Sequence, residues 1–247
     1  MSRSEKRREA RQSDSGNSSA LYYVLGAVAV LGVGLVAYSV GSSAFSSAAT
    51  QPVELTFEND EQLVALAEGE TLGDPGAGVT IVEFGDYQCP ACGSFALQFK
   101  PQIETRFVET GEAKFVFYDF PIPSIHPNAF LAARAARCAG DQGAYWEYHT
   151  TLFQNQSRWS TANLPTSAFE DYAEQVGIDE GEFSACLNSD RFADVVTANM
   201  ELGSRMGVGG TPTVLINVDG QTRRLNDYSI AAIQDAIASV RGESNGG

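Results

Sequence analysis

Cys89-Pro90-Ala91-Cys92 sets two thiols two residues apart, directly after an apolar run at 79–84 and a short turn. That order restricts what the chain can fold into. A proline just after the first cysteine suits the first position of a helix, because its missing N–H was without a partner anyway and its φ is already helical. Cys89 is therefore expected at a helix N-terminus, where free backbone N–H groups and the positive dipole end favour a thiolate over a thiol. Phe95, Phe99, Ile103 and Phe107 then recur every four residues. This spacing predicts a helix over 94–109 with one apolar side and a kink at Pro101. Residues 114–118 (KFVFY) come next as a strand. Strand, helix, strand is the crossover unit of a parallel sheet, and it leaves the cysteines at the carboxyl end of the first strand, where open α/β sheets carry their sites.

A Cys-x-x-Cys pair in that setting reads as a dithiol redox centre: the first sulfur exchanges with a partner and the second resolves the mixed disulfide. The alternative is half of a zinc site. Zinc takes four ligands, and the remaining candidates, Cys138, Cys186, His126 and His149, stand in no paired spacing, so no metal or other cofactor is expected. Glu83 interrupts the apolar strand six residues before Cys89. Either it is a buried carboxylate that takes the proton of Cys92, its own pKa lifted toward neutrality by desolvation, or it is a partly exposed residue near the strand end. Gly209-Gly210-Thr211-Pro212-Thr213 precedes an apolar run, an awkward place for proline in a sheet. A cis Thr211–Pro212 bond would fit and would leave the Thr211 backbone free to pair with an incoming peptide; an ordinary trans-proline at the strand start is the other reading.

The rest of the chain divides by pattern. Residues 53–57 are expected as a short first strand and 68–78, rich in Gly, Asp and Pro, as turns. From 121 to 206 the pattern is helical throughout, with segments at 128–139, 144–153, 167–176 and 191–206; Ser167 and Glu170 stand in capping-box spacing. Residues 213–218 form a strand, Asp219-Gly220 a hairpin turn, 221–225 its partner and 229–240 a closing helix. The implied fold is α/β, in two sequence pieces, 53–120 and 207–241, around an all-helical insertion at 121–206. Residues 242–247 read as a frayed tail. Tyr145, Trp146, Tyr148, Phe153 and Trp159 either line a peptide groove or fill the core of the insertion. His126 and His149 contact substrate or serve the structure.

Ahead of this lies a segment of another kind. No residue between Ser15 and Val53 is charged, and 21–40 is apolar over about the 20 residues needed to cross a bilayer. Arg3, Lys6, Arg7, Arg8 and Arg11 precede it, so the positive-inside rule leaves 1–20 in the cytoplasm and makes 21–40 a transmembrane helix. The domain beyond the Ser- and Ala-rich linker 41–52 is then exported. A cleaved signal peptide ending near Ser47-Ala48-Ala49 is the alternative, and it also exports the domain. No cysteine near the segment offers a lipid anchor. The net charge of −15 makes nucleic acid an unsuitable partner and fits either a salty habitat or ordinary solubility. In an exported protein with four cysteines, Cys138 and Cys186 are economically read as a second disulfide, worth roughly 4 kcal/mol in the chain-entropy model, against two free buried thiols.

Taken together, the stretch from Phe84 to Cys92, the Gly210-Thr211-Pro212-Thr213 element and the run from His126-Pro127-Asn128-Ala129 through Arg137-Cys138-Ala139 to Gly143-Ala144-Tyr145-Trp146 resemble the DsbA-like thioredoxin-fold family of thiol:disulfide oxidoreductases, particularly its membrane-anchored members. The resemblance spans about 53–240. It implies Cys89 as nucleophile, Cys92 as resolving thiol, Glu83 as buried carboxylate and Thr211-Pro212 as a cis-proline platform; the substrate meets that platform and Pro90-Ala91. It also implies exported thiol proteins as substrates and a membrane quinone-linked oxidase as recycling partner. The chain departs from the best-known pattern at Ala91, where a histidine would help to stabilise the Cys89 thiolate. Disulfide formation is the expected direction; a reductase, for instance one serving haem attachment, and a non-catalytic peptide-binding or chaperone module are the other readings.

Overall fold

The computed structural model describes residues 49–244, with side chains to residue 240. The expected basic tail, the transmembrane helix at 21–40 and most of the linker lie outside the described residues, as does the end of the tail. Among the described residues no helix is long and apolar enough to cross a membrane.

Five strands make one sheet: β1 (Glu70–Leu72), β2 (Val79–Gly85), β3 (Ala113–Asp119), β4 (Thr213–Val218) and β5 (Gln221–Arg224), in the order β1-β3-β2-β4-β5. β2 and β3 run parallel with Val79 opposite Ala113 and Gly85 opposite Asp119, while β1, β4 and β5 pair antiparallel to their neighbours. β2 is thus flanked on both edges, which suits a near-continuous apolar run. The β4–β5 hairpin turns on Asp219 and Gly220, both at positive φ, 51° and 82°, as a type I′ turn requires.

Between β2 and β3, residues 90–108 form one continuous helical stretch, α2. Pro101 brings no break. Lys100–Ile103 is α-helical between two wide π-type turns, Phe95–Phe99 and Glu104–Val108. The proline ring would crowd the carbonyl four residues back and offers it no N–H, and a wide turn is one way a helix absorbs such a residue. Phe95, Ile103 and Phe107 are buried from it into the main core.

The stretch 121–206 is helical as expected: α3 (Ala129–Gly140), α4 (Tyr145–Gln154), α5 (Gln156–Trp159), α6 (Thr166–Val176), α7 (Glu180–Leu187) and α8 (Ala193–Arg205). α3 is buried along all but its last residue, which is why its sequence is apolar round the whole circumference apart from Arg134 and Arg137. Both arginines are satisfied internally. Arg134 donates to the carbonyls of Leu187, Ser189, Arg191 and Ala49; Arg137 pairs with Asp119 at 2.6 Å and donates to the Glu68 carbonyl at 2.6 Å. Tyr145, Tyr148, Phe153 and Trp159 are buried and Trp146 packs against the same core, so these aromatics are core residues and not the lining of a groove. α8 covers the opposite face of the sheet. Gly203 allows this, since a Cβ there would stand 2.7 Å from the Phe120 ring. α9 (Ile230–Ser244) closes the chain.

Three local expectations are corrected. Residues 53–57 are not a strand: Val53 donates its N–H to the Thr197 hydroxyl on α8, so this alternating segment lies along a helix and not in the sheet. The first strand is β1, three residues inside the stretch expected as turns, too short to show a period. The capping box of Ser167 and Glu170 does not form. α6 starts after Pro165 without a side-chain cap, and the Glu170 carboxylate accepts instead from Ser184 of α7 at 2.7 Å. One short helix, α1 (Asp60–Leu66), has no counterpart among the expected elements; the Asn59 side chain caps it on the Gln62 N–H.

Candidate active site

β2 ends at Gly85, and four residues later Cys89 occupies the cap of α2 with extended backbone, φ −73° and ψ 122°, Pro90 at the first helical position. Both cysteines are reduced here. Cys89 keeps 8% of its surface and Cys92 none. The two sulfurs therefore differ in access: an incoming group reaches Cys89 and not Cys92.

Their ionisation differs as strongly. The Cys89 pKa falls to about 5, chiefly because the Cys92 thiol hydrogen-bonds to it; burial works the other way, and Thr211 together with the N–H groups of Cys92 and Ala91 adds to the lowering. The Cys92 pKa is pushed well above that of an ordinary thiol, by burial first, then by its bond to Cys89 and by the charges of Glu83 and Cys89. One sulfur is a thiolate at neutral pH while the other holds the proton. The Asp86 N–H donates to Cys92 Sγ at 3.4 Å.

The Thr211–Pro212 peptide is cis, and the Thr211 carbonyl lies 3.4 Å from Cys89 Sγ, accepting from it when the sulfur is protonated. The Thr211 hydroxyl is buried without a partner among the described residues, so it is free to donate to the sulfur once that carries charge. Tyr228, just before α9, donates its hydroxyl to the Pro212 carbonyl at 3.3 Å. Glu83 is fully buried and neither carboxylate oxygen has a partner among the described residues. Desolvation lifts its pKa to about 8; Lys100 opposes this and Cys89 reinforces it. Glu83 is thus the buried carboxylate of the two readings, close enough for its charge to act on both sulfurs.

Several residues of the site went unread in the sequence. Asp86, buried, accepts from the N–H groups of Gln88 at 2.7 Å and Ile122 at 2.9 Å and lies 2.8 Å from His126 Nδ1. Gln88 donates to the Ser160 carbonyl and accepts from the Asn128 N–H, each at 2.8 Å. Gln156 donates to the carbonyls of Tyr87 at 2.7 Å and Cys89 at 2.9 Å. These bonds fasten the loop before Cys89 to the helical insertion. Their only signal in the sequence was that three polar residues, Asp86, Tyr87 and Gln88, come after an otherwise apolar strand. The histidines fall on the structural side: His126 serves this clamp, and His149 is buried, kept neutral by burial and by Lys100, its Nδ1 3.0 Å from the Tyr87 hydroxyl. Lys100 is itself buried, bonded to Glu104 at 2.6 Å and placed over the Trp146 ring.

Cys138 and Cys186 are joined across 48 positions, linking α3 to α7. Among the described residues no cluster of His, Cys, Asp and Glu could hold a metal ion.

The chain matches the family profile described as Thioredoxin over residues 66–237. It is 30% identical over 162 residues to the disulfide bond formation protein D of Bacillus subtilis, covering 64% of this chain and 71% of that protein. The solved structure of oxidised BdbD from Bacillus subtilis superimposes with a TM-score of 0.61 at 26% identity, over 69% of this chain and 91% of that one. A Na(+)/H(+) antiporter, NhaA 1 of Salinispora arenicola, is 34% identical over 164 residues, 66% of this chain, which spans about a quarter (23%) of that relative's length.

Proposed function

Because the chain belongs to the DsbA-like branch of the thioredoxin family, we propose that it is a thiol:disulfide oxidoreductase that transfers the Cys89–Cys92 disulfide to thiol-containing proteins. A substrate thiolate attacks Cys89 Sγ, and Cys92 leaves as a thiolate. Glu83, held above the ordinary carboxylate range chiefly by burial, carries a proton at neutral pH and supplies the one that Cys92 takes up. A second substrate thiolate attacks the substrate sulfur of the mixed disulfide and expels the Cys89 thiolate. The substrate has lost two electrons and the enzyme's disulfide has gained them.

What carries the direction is the set of donors around Cys89 Sγ, the Cys92 thiol first, with Thr211 and the N–H groups of Cys92 and Ala91, which lowers its pKa. A thiolate stabilised in the reduced protein lowers the free energy of that form, so the disulfide form is the stronger oxidant. Ala91 offers no side-chain donor, but the N–H groups at the helix start and the Thr211 hydroxyl supply donors in its place. The reading extends to an exported domain anchored by residues 21–40 and reoxidised by a quinone-linked membrane oxidase. The basic cluster before that segment and the Cys138–Cys186 disulfide, a bond that persists in oxidising compartments, support the location.

The oxidised protein mixed with a reduced dithiol peptide should yield the peptide disulfide and the Cys89–Cys92 dithiol in equal amounts. Cys89→Ala should abolish the transfer. Undiminished transfer by this variant would refute the assignment.

A further inference from the structure

We propose that Arg224 reads the charge of the substrate, its guanidinium engaging an acidic side chain beside the reacting cysteine. The proposal rests on the thiol-exchange reading and names a substrate class for it.

Arg224 ends the edge strand β5, all four residues of which are exposed, and lies opposite Leu215 at the end of the hairpin nearest the Thr211–Pro212 turn. Its Nη2 donates to Thr213 Oγ1 at 2.8 Å, and that hydroxyl donates to the Gly210 carbonyl at 2.7 Å. Two hydrogen bonds therefore lead from the guanidinium to the residue preceding Thr211, whose carbonyl meets Cys89. Its charge also acts on Tyr228, the residue bonded to the Pro212 carbonyl. Arg223, on the other face of the strand, is occupied with Ser239.

The bond to Thr213 uses one of five guanidinium N–H donors and orients the rest without neutralising the charge. Exposed Arg191 pairs with Asp141, and exposed Arg205 with Glu201 and Asp60. Arg224 has no carboxylate within ion-pair distance among the described residues. On a chain of net charge −15, with nearly twice as many acidic as basic residues, most exposed surface repels an acidic partner. A cation held beside the platform and left unpaired reverses that sign locally. An extended peptide pairing with Thr211 sends alternate side chains to opposite faces, and a carboxylate on the Arg224 side meets a donor fork shaped for it.

The test uses the oxidised full-length protein and three reduced dithiol peptides that differ only in whether Glu, Gln or Lys flanks the cysteine. Transfer of the disulfide is followed as kcat/KM. The Glu peptide should exceed the Lys peptide by about fivefold at low salt, the scale of an exposed ion pair, and the ratio should shrink as salt rises. Arg224→Lys should keep the preference, Arg224→Gln should bring the ratio close to one and Arg224→Glu should invert it. Equal rates for the three peptides with the unaltered protein would overturn the proposal. So would an Arg224→Gln variant slowed equally on all three, because a merely structural arginine would leave the ratio unchanged. If the unaltered protein oxidises none of the peptides, the thiol-exchange reading itself falls, and this proposal with it.

Discussion

Glu83 keeps a carboxylate in a fully buried position with neither oxygen bonded among the described residues, and that cost has a pH signature. Its folded pKa of about 8 lies above the ordinary carboxylate value of 4.5, so the folded chain holds a proton that the unfolded chain releases between those values. Stability from this group is therefore greatest below pH 4.5 and declines as pH rises through 8. Glu83→Gln should leave the melting temperature of the reduced protein nearly unchanged at about pH 5 and raise it at about pH 9 by several degrees, at about 2–4 °C per kcal/mol for a chain of this size. Cys89 works in the opposite direction: its pKa is depressed to about 5, so its contribution is complete above the unfolded thiol value and is lost as pH falls through 5. It is present in both proteins, and because its charge raises the Glu83 pKa, that coupling is part of the measured difference. A difference that stays flat across that pH range would mean that Glu83 is not desolvated. Glu83 was legible as a site residue because a carboxylate inside an apolar strand demands a reason. Thr211 and Pro212 were legible from their place before β4. Asp86, Gln88 and Gln156 were not, since their work is to bond backbone groups that only the folded chain brings near.

The elements show what periodicity can and cannot carry. β2, β3 and β4 are long, apolar and flanked by partners, and α3 is apolar on every side; such segments declare themselves. β1 has three residues and takes its pairing entirely from β3, while 53–57 alternates like a strand yet lies along α8. In both, tertiary contact overrides local pattern. Asp119 at the end of β3 is an element-scale joint: it holds Arg137 of α3 at 2.6 Å, and Asn199 of α8 donates to it at 3.3 Å. Removing one partner of a buried ion pair leaves the other desolvated without compensation. Asp119→Ala should therefore cost about 3–5 kcal/mol in denaturant unfolding, with the thiol chemistry of the protein that remains folded intact. A loss under about 1 kcal/mol, the scale of an exposed pair, would mean that the Glu68 carbonyl and the Glu70 carboxylate, which Arg137 already reaches at 2.6 and 3.5 Å, suffice for it.

Across the whole molecule, the helical insertion does more than enlarge the domain. Through Asn128, Gln156 and the Ser160 carbonyl, and through the bond of Asp86 to the Ile122 N–H, it fixes the loop that presents Cys89, while the hairpin from the other side presents Thr211. The sulfur thus lies between two structures that are far apart in sequence. The spacing of the cysteines carries the chemistry; the depth of the thiolate well depends on the Cys92 thiol first, then on Thr211 and the N–H groups of Cys92 and Ala91, and could not be read from Pro90-Ala91 alone. If the Cys92 thiol, Thr211 and the N–H groups of Cys92 and Ala91 stabilise the dithiol state enough, the protein oxidises others. The most direct test is the reduction potential of the Cys89–Cys92 pair, measured by equilibration with glutathione. We predict a value nearer about −120 mV, the region of strong protein oxidants, and a value near that of thioredoxin, about −270 mV, would contradict the account.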